Sequence, residues 1–217
     1  MWFDRLWEVF QKSVFSLPSI EDENGGLFNP YHEVEARLDR PGGETIRQGN
    51  LLRYLESLPA APPILIVGEA PGWRGCRFSG VPFTSEAQLV GGTLPFKGQA
   101  SSLGQNPYSE ASATIFWGNM QAYHPDFFIW NCLPLHPHPA GRPLSNRPPT
   151  RLEQERFLPL LAEIIAVLEP QKVLALGVKA QGSLEKLGLR AFPVRHPAHG
   201  GATDFRLGIE GLLRASV

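Results

Sequence analysis

Three polar residues, Glu69, Asn131 and His196, stand at or near the ends of apolar runs, and each brings a different chemistry. Glu69 follows Ile64-Leu65-Ile66-Val67-Gly68 and precedes Ala70-Pro71-Gly72, so strand-forming residues give way at once to residues that stop a strand. A carboxylate is thereby held at the carboxyl end of a strand, where open α/β sheets place their ligands. Asn131 lies inside the otherwise apolar run Phe127–Leu133. An amide buried there is costly unless its donors and acceptor are met. Neighbouring backbone can meet them, and a lone His196 reads as easily as a satisfied loop histidine as a catalyst. Acid, amide and imidazole at strand termini of one sheet argue for a shared site.

The elements that must position them follow from periodicity. Strands are expected at 64–68, 127–133, 172–177 and 191–195. A long helix is expected at about 150–168, with Thr150 as N-cap, Glu153 three residues on, and Phe157, Leu161, Ile164, Ile165 and Leu168 on one face. Pro170 stops it, and a second helix spans 179–187. Strands alternating with helices predict an α/β fold, a three-layer α/β/α sandwich around a central, mostly parallel four-stranded sheet. The core domain is assigned to 61–217, with residues 1–60 as a helical and irregular extension packed on it. In that extension Trp2, Phe3, Leu6, Trp7, Phe10 and Val14 form an amphipathic stripe, read as core packing or a dock onto the main domain. Residues 18–49 read as an irregular arm, and Asn50–Leu58 as a short helix ended by Pro59. The segment 91–126 carries no readable periodicity.

Composition narrows the class. The formal charge of the 217 residues is −1, so nothing global advertises a polyanionic partner. Residues 1–62 carry net −4 and 63–217 net +3, too small an excess to be an electrostatic footprint. Two cysteines cannot form a four-cysteine cluster and read as reduced thiols in a cytosolic protein. No apolar run suits a membrane span, and the Met1–Arg5 start does not read as a secretory signal.

The motifs together resemble the uracil-DNA glycosylase superfamily over about residues 63–200. Its iron–sulphur, thermophile-type branch has the same Gly-Glu-Ala-Pro-Gly (68–72), a glycine-rich loop ending in Pro-Phe (Pro82-Phe83), an Asn-Arg-x-Pro-Thr element (146–150) and a His-Pro motif (His196-Pro197). Gly80-Val81-Pro82-Phe83 and Asn131–Leu135 are also similar to the single-strand-selective monofunctional branch. The resemblance implies a monofunctional DNA glycosylase that flips uracil, or a related deaminated base, out of DNA and hydrolyses its N-glycosidic bond. On that reading Glu69 and His196 are catalytic: Glu69 serves the water or the sugar cation, and His196 the leaving anion. Phe83 stacks the base, Asn131 pairs with its O4 and N3–H, and the backbone at Ala70 contacts it. Arg142 and Arg147, in a proline-stiffened loop expected to be exposed, and Pro197, Ala198, His199 and Gly200, in a loop able to wedge into the duplex, are the expected DNA contacts.

The partner expected is DNA containing uracil or another damaged base, with no membrane, a monomeric enzyme and a bacterial or archaeal cytoplasm. Departures from the branch patterns shape the rest. Two cysteines in place of four imply no iron–sulphur cluster, and no other cofactor is expected. His136-x-His138 has a metal-ligand spacing, but no carboxylate lies near it in sequence, so no metal is expected. Ala70 stands where several branches carry Asp or Asn, and Gly72 where the classical enzymes carry a tyrosine that blocks the thymine methyl. A weak or inactive nucleic-acid-binding relative, and a glycosylase for another damaged base, are the alternatives.

Overall fold

The computed structural model describes residues 1–22, 25–198 and 200–213. The chain opens with helix α1 (Trp2–Phe10), a π-helical turn (Gln11–Phe15), the strands β1 (Ile20–Asp22) and β2 (Gly25–Phe28), and helix α2 (Gly43–Glu56). Then come β3 (Ile64–Gly68), α3 (Cys76–Ser79), α4 (Glu86–Gly91), α5 (Ala111–Met120), β4 (Phe127–Asn131) and β5 (His136–His138). The chain continues through α6 (Arg151–Arg156), α7 (Leu158–Leu168), β6 (Lys172–Leu176), α8 (Val178–Lys186), β7 (Phe192–Val194) and α9 (Ala202–Leu213).

The central sheet has the order β4-β3-β6-β7 and is parallel throughout. Alternation along β4 sorts the layers, because successive side chains leave opposite faces of a strand. Phe128 and Trp130 face one side, where Phe10 of α1 stacks on Trp130 at 4.5 Å and Tyr54 of α2 on Phe128 at 5.7 Å. Phe127 faces the other side, against Phe116 and Trp117 of α5, and Phe116 in turn meets Phe205 of α9. Helices therefore cover both faces, and the α/β/α sandwich stands. Asn131, four residues after Phe127, belongs to the α5/α9 face.

Local readings differ in four places. The helix expected over 150–168 is two helices: Phe157 leaves helical geometry (φ −102°, ψ 6°), because Pro159 lacks an N–H and its ring would collide with the carbonyl a turn earlier. The expected cap holds; Thr150 Oγ1 accepts from the Glu153 amide, and Glu153 Oε2 accepts from the Thr150 amide at 2.7 Å. The segment read as an irregular arm holds the β1–β2 hairpin, which adds β5 to make a second, antiparallel sheet, and α2 begins at Gly43 rather than at residue 50. Finally β4 ends at Asn131, although the Cys132 and Leu133 amides still donate to the carbonyls of Gly68 and Glu69.

A buried charge cluster locks the first sixty residues to the loop that follows β3. Asp39 takes both terminal nitrogens of Arg77 and lies 3.2 Å from Arg47 Nη1, all three being buried. Arg47 also donates to the carbonyls of Pro30 and Glu33 and to Ser101 Oγ, and Arg77 lies over the rings of Phe28 and Phe78. Burial pulls the Arg47 guanidinium down to about 10, so it stays charged at neutral pH. One carboxylate thus compensates two desolvated cations. Removing it in Asp39→Ala strands both, and a loss of about 3–5 kcal/mol in urea unfolding is the expected result. A loss below 1 kcal/mol would show that Asp39 is not their main compensation.

Candidate active site

The site begins with the register of two strands. Gly68 ends β3 directly opposite Asn131 at the end of β4. A Cβ on Gly68 would lie 2.6 Å from Asn131 Oδ1 and 2.6 Å from Phe83 Cε2, so both side chains close over the bare backbone of Gly68. Phe83 takes φ +50°, a left-handed conformation uncommon for an aromatic residue, and this strain turns its ring inward. The ring packs on Phe116 at 5.2 Å and on His196 at 5.1 Å. Asn131 is 3% exposed, and its Oδ1 is buried with no hydrogen-bond partner. Such an orphan acceptor costs about 1–3 kcal/mol, a cost that a ligand donor would remove.

Phe83 lines a cleft of about 560 Å³ together with Glu69, Ala70, Ala198 and His196, while Asn131 lies next to Phe83 at Gly68 and is not itself among the lining residues. Glu69 is half-buried; desolvation pushes its carboxyl above the ordinary range, with the charge of Lys179 pulling the other way. The backbone of Glu69 is fixed through its carbonyl, which accepts from Cys132 Sγ at 3.1 Å and from the Leu133 amide. His196 follows β7, and its Nδ1 accepts from the Ala198 amide at 3.1 Å. In the neutral ring this leaves the proton on Nε2, which is then a donor. A Cβ on Gly201 would lie 2.1 Å from the His196 carbonyl, so only glycine lets this loop fold back on itself.

The remaining expected residues fall into two groups. Ala198 lines the cleft, Pro197 is buried behind it and Gly200 is exposed, while His199 lies outside the described residues. Arg142 is exposed but lines a separate groove with Glu35, Arg37 and Leu144. Arg147 corrects the expectation of an exposed loop arginine. Its side chain is 13% exposed, paired with Glu153 at 2.6 Å and donating to the His138 carbonyl, because the acid of the α6 capping box faces it. It lines the cleft from inside that network. His136 is equally committed: Nδ1 donates to the Pro71 carbonyl at 2.8 Å, and burial lowers its pKa to about 4. Asn146 Oδ1 accepts from the Trp73 amide at 2.9 Å. These contacts hold the 69–75 loop from the far side.

Sequence reasoning missed several cleft residues: Glu110, Ser112, Gln181 and the exposed Arg195. None sits in a recognisable motif. Glu110 is the most consequential, since its carboxyl packs where side chains on Gly72 and Gly75 would stand.

Two outcomes follow from this geometry. Gly68→Ala must displace Asn131 or Phe83, and either shift is expected to destabilise the fold by about 1–3 kcal/mol; an unchanged Tm would mean the floor is looser than described. Glu69→Gln tests desolvation. A carboxyl whose folded-state pKa is raised costs stability once it ionises, so the cost is absent below the ordinary value of 4.5 and complete above the raised one. The variant is therefore expected to melt higher than the wild type at pH 7 and equally at pH 4, a difference read by thermal scans at both.

Comparison with known proteins identifies the family and the fold. The model of the uracil DNA glycosylase superfamily matches residues 55–206. A Type-4 uracil-DNA glycosylase from Pyrobaculum aerophilum is 32% identical over 129 residues, 59% of this chain and 51% of that protein, so the chain spans about half the length of that curated relative. The crystal structure of wild-type Pedobacter heparinus SMUG2 superposes with a TM-score of 0.68 at 17% identity, covering 99% of this chain and 96% of that one, a likeness of fold. With a family match across most of its length, the chain belongs to the uracil DNA glycosylase superfamily.

Proposed function

We propose that this protein is a monofunctional DNA glycosylase that takes uracil, or a related deaminated base, out of the stack and hydrolyses its N-glycosidic bond. The observation that carries the reading is the orphaned Asn131 Oδ1 at Gly68 beside Phe83, whose ring lines the cleft that Glu69 and His196 share. An extruded uracil resting on Phe83 presents N3–H to Asn131 Oδ1 and O4 to the amide nitrogen. Cytosine presents an unprotonated N3 and an amino group, which leaves both amide atoms facing like partners, and such mismatches discriminate strongly.

As the C1′–N1 bond breaks, electrons pass to the base, and His196 Nε2–H donates to O2 as its charge grows. The sugar gains oxocarbenium character. Ionised Glu69 stabilises that cation and orients the water that adds to C1′, whose proton leaves to solvent. Arg195 at the rim, with the backbone of Ala70 and Ala198, serves phosphate and base contacts. No step needs a metal or cofactor.

The test is excision from uracil-containing single- and double-stranded oligonucleotides followed by strand scission at the abasic site. Glu69→Ala is expected to lower the single-turnover rate about 10²–10⁴-fold with oligonucleotide binding retained. Asn131→Asp is expected to admit cytosine. A wild-type protein that cuts neither substrate would overturn the proposal.

A further inference from the structure

Uracil and thymine present the same O4 and N3–H edge, so Asn131 cannot tell them apart. A site that removes uracil from DNA needs another group to refuse the methyl of thymine. Stacking on Phe83 does not supply it, since an aromatic platform tolerates either ring, and an apolar wall would favour the methyl by burying it.

Glu110 is the cleft residue with the right chemistry and a fixed position. It is the N-cap of α5, where its carbonyl accepts from the Thr114 amide, and its side chain runs back under the loop after β3. A Cβ on Gly72 would lie 2.8 Å from Glu110 Oε1, and one on Gly75 would lie 1.8 Å from Oε2. The carboxyl therefore fills the space two glycines leave vacant, and it lines the same cleft as Glu69 and His196. Among the described residues no cation lies within ion-pair distance of it. Burial raises its pKa, and a hydrogen bond with Ser112, also in the cleft wall, offsets this in part.

We infer that Glu110 is a specificity-determining residue of this cleft, its carboxyl forming a polar wall over Gly72 and Gly75 that refuses the thymine methyl while accepting uracil. A methyl pressed on this wall would strip the carboxyl of its remaining hydration and offer no hydrogen bond in return. Uracil leaves room for water at the same place. The inference rests on the proposed excision of uracil, and it goes further by assigning the discrimination to one side chain.

The experiment compares full-length wild type with Glu110→Gln, Glu110→Leu and Glu110→Ala. Single-turnover excision is measured on two single-stranded oligonucleotides that differ only in uracil against thymine. Binding of the uncleavable 2′-fluoro analogues reads the same preference in any variant too slow to cut. Glu110→Gln keeps both size and polarity and is expected to retain the uracil preference. Glu110→Leu, apolar at similar size, and Glu110→Ala, apolar and small, are each expected to lower the uracil-to-thymine ratio at least tenfold. A purely structural role would lower both rates together and leave the ratio alone, and that result overturns the inference while uracil excision by the wild type stands. Wild-type protein that excises uracil and thymine alike also overturns it. Wild-type protein that neither cuts nor prefers uracil overturns the proposed function, and the inference with it.

Discussion

The candidate site depends on one pairing, Gly68 against Asn131 at the end of two parallel strands. Parallel register places the amide beside the strand end that carries Glu69, and the absent side chain of Gly68 lets Phe83 and Asn131 meet there. A slip of one residue would turn Asn131 to the opposite face of the sheet, among Phe10, Phe128 and Trp130. The hydrophobic content of β3 and β4 fixes that register, since Leu65–Val67 and Phe127–Ile129 are fully buried. Packing energy from the core is thus what holds an unpartnered polar atom in place.

The loop from Glu69 to Cys76 has little regular structure of its own and is held from outside. Asp39 grips Arg77 at its far end, His136 holds the Pro71 carbonyl, Asn146 holds Trp73, and Glu110 packs against Gly72 and Gly75. These groups come from the hairpin arm, β5, the loop before α6 and the cap of α5. Residues 1–60 accordingly do more than decorate the core, because Asp39, itself paired with Arg47, grips Arg77 of α3 just past the loop that carries the cleft's acid. Arg147 belongs to this scaffold as well: its pairing with Glu153 ties the Asn-Arg-x-Pro-Thr motif to the capping box of α6.

How much of this is legible in the sequence depends on the range of the interaction. Buried parallel strands read as short apolar runs, so all four strands of the central sheet are legible within two residues at each end, and with them the positions of Glu69 and Asn131. Local chemistry is legible too, as the Thr150–Glu153 box shows. Pro159 is the signal that the long helix must break, and helical periodicity across it hides the break. Strands of three or four residues, such as β1, β2 and β5, carry too few positions for alternation to register. Glu110 illustrates the harder limit. Nothing near it in the chain marks it, and its place is set by two distant glycines whose missing side chains make the space it fills.

Two half-buried carboxyls facing one cleft look at first like a fault, since desolvation opposes the ionisation of each. For the proposed glycosidic hydrolysis the arrangement has a use. A carboxylate stripped of water interacts weakly with a neutral substrate and strongly with a cation that forms beside it, so its stabilisation is greatest at the transition state. Lys179 moderates the cost at Glu69 by favouring the ionised form, and no such cation serves Glu110 among the described residues. Desolvation thus opposes ionisation of both acids, and only Glu69 has a neighbouring cation to offset it, a difference in surroundings that accompanies the separate roles proposed for them. The environment, rather than the residue type, separates their roles.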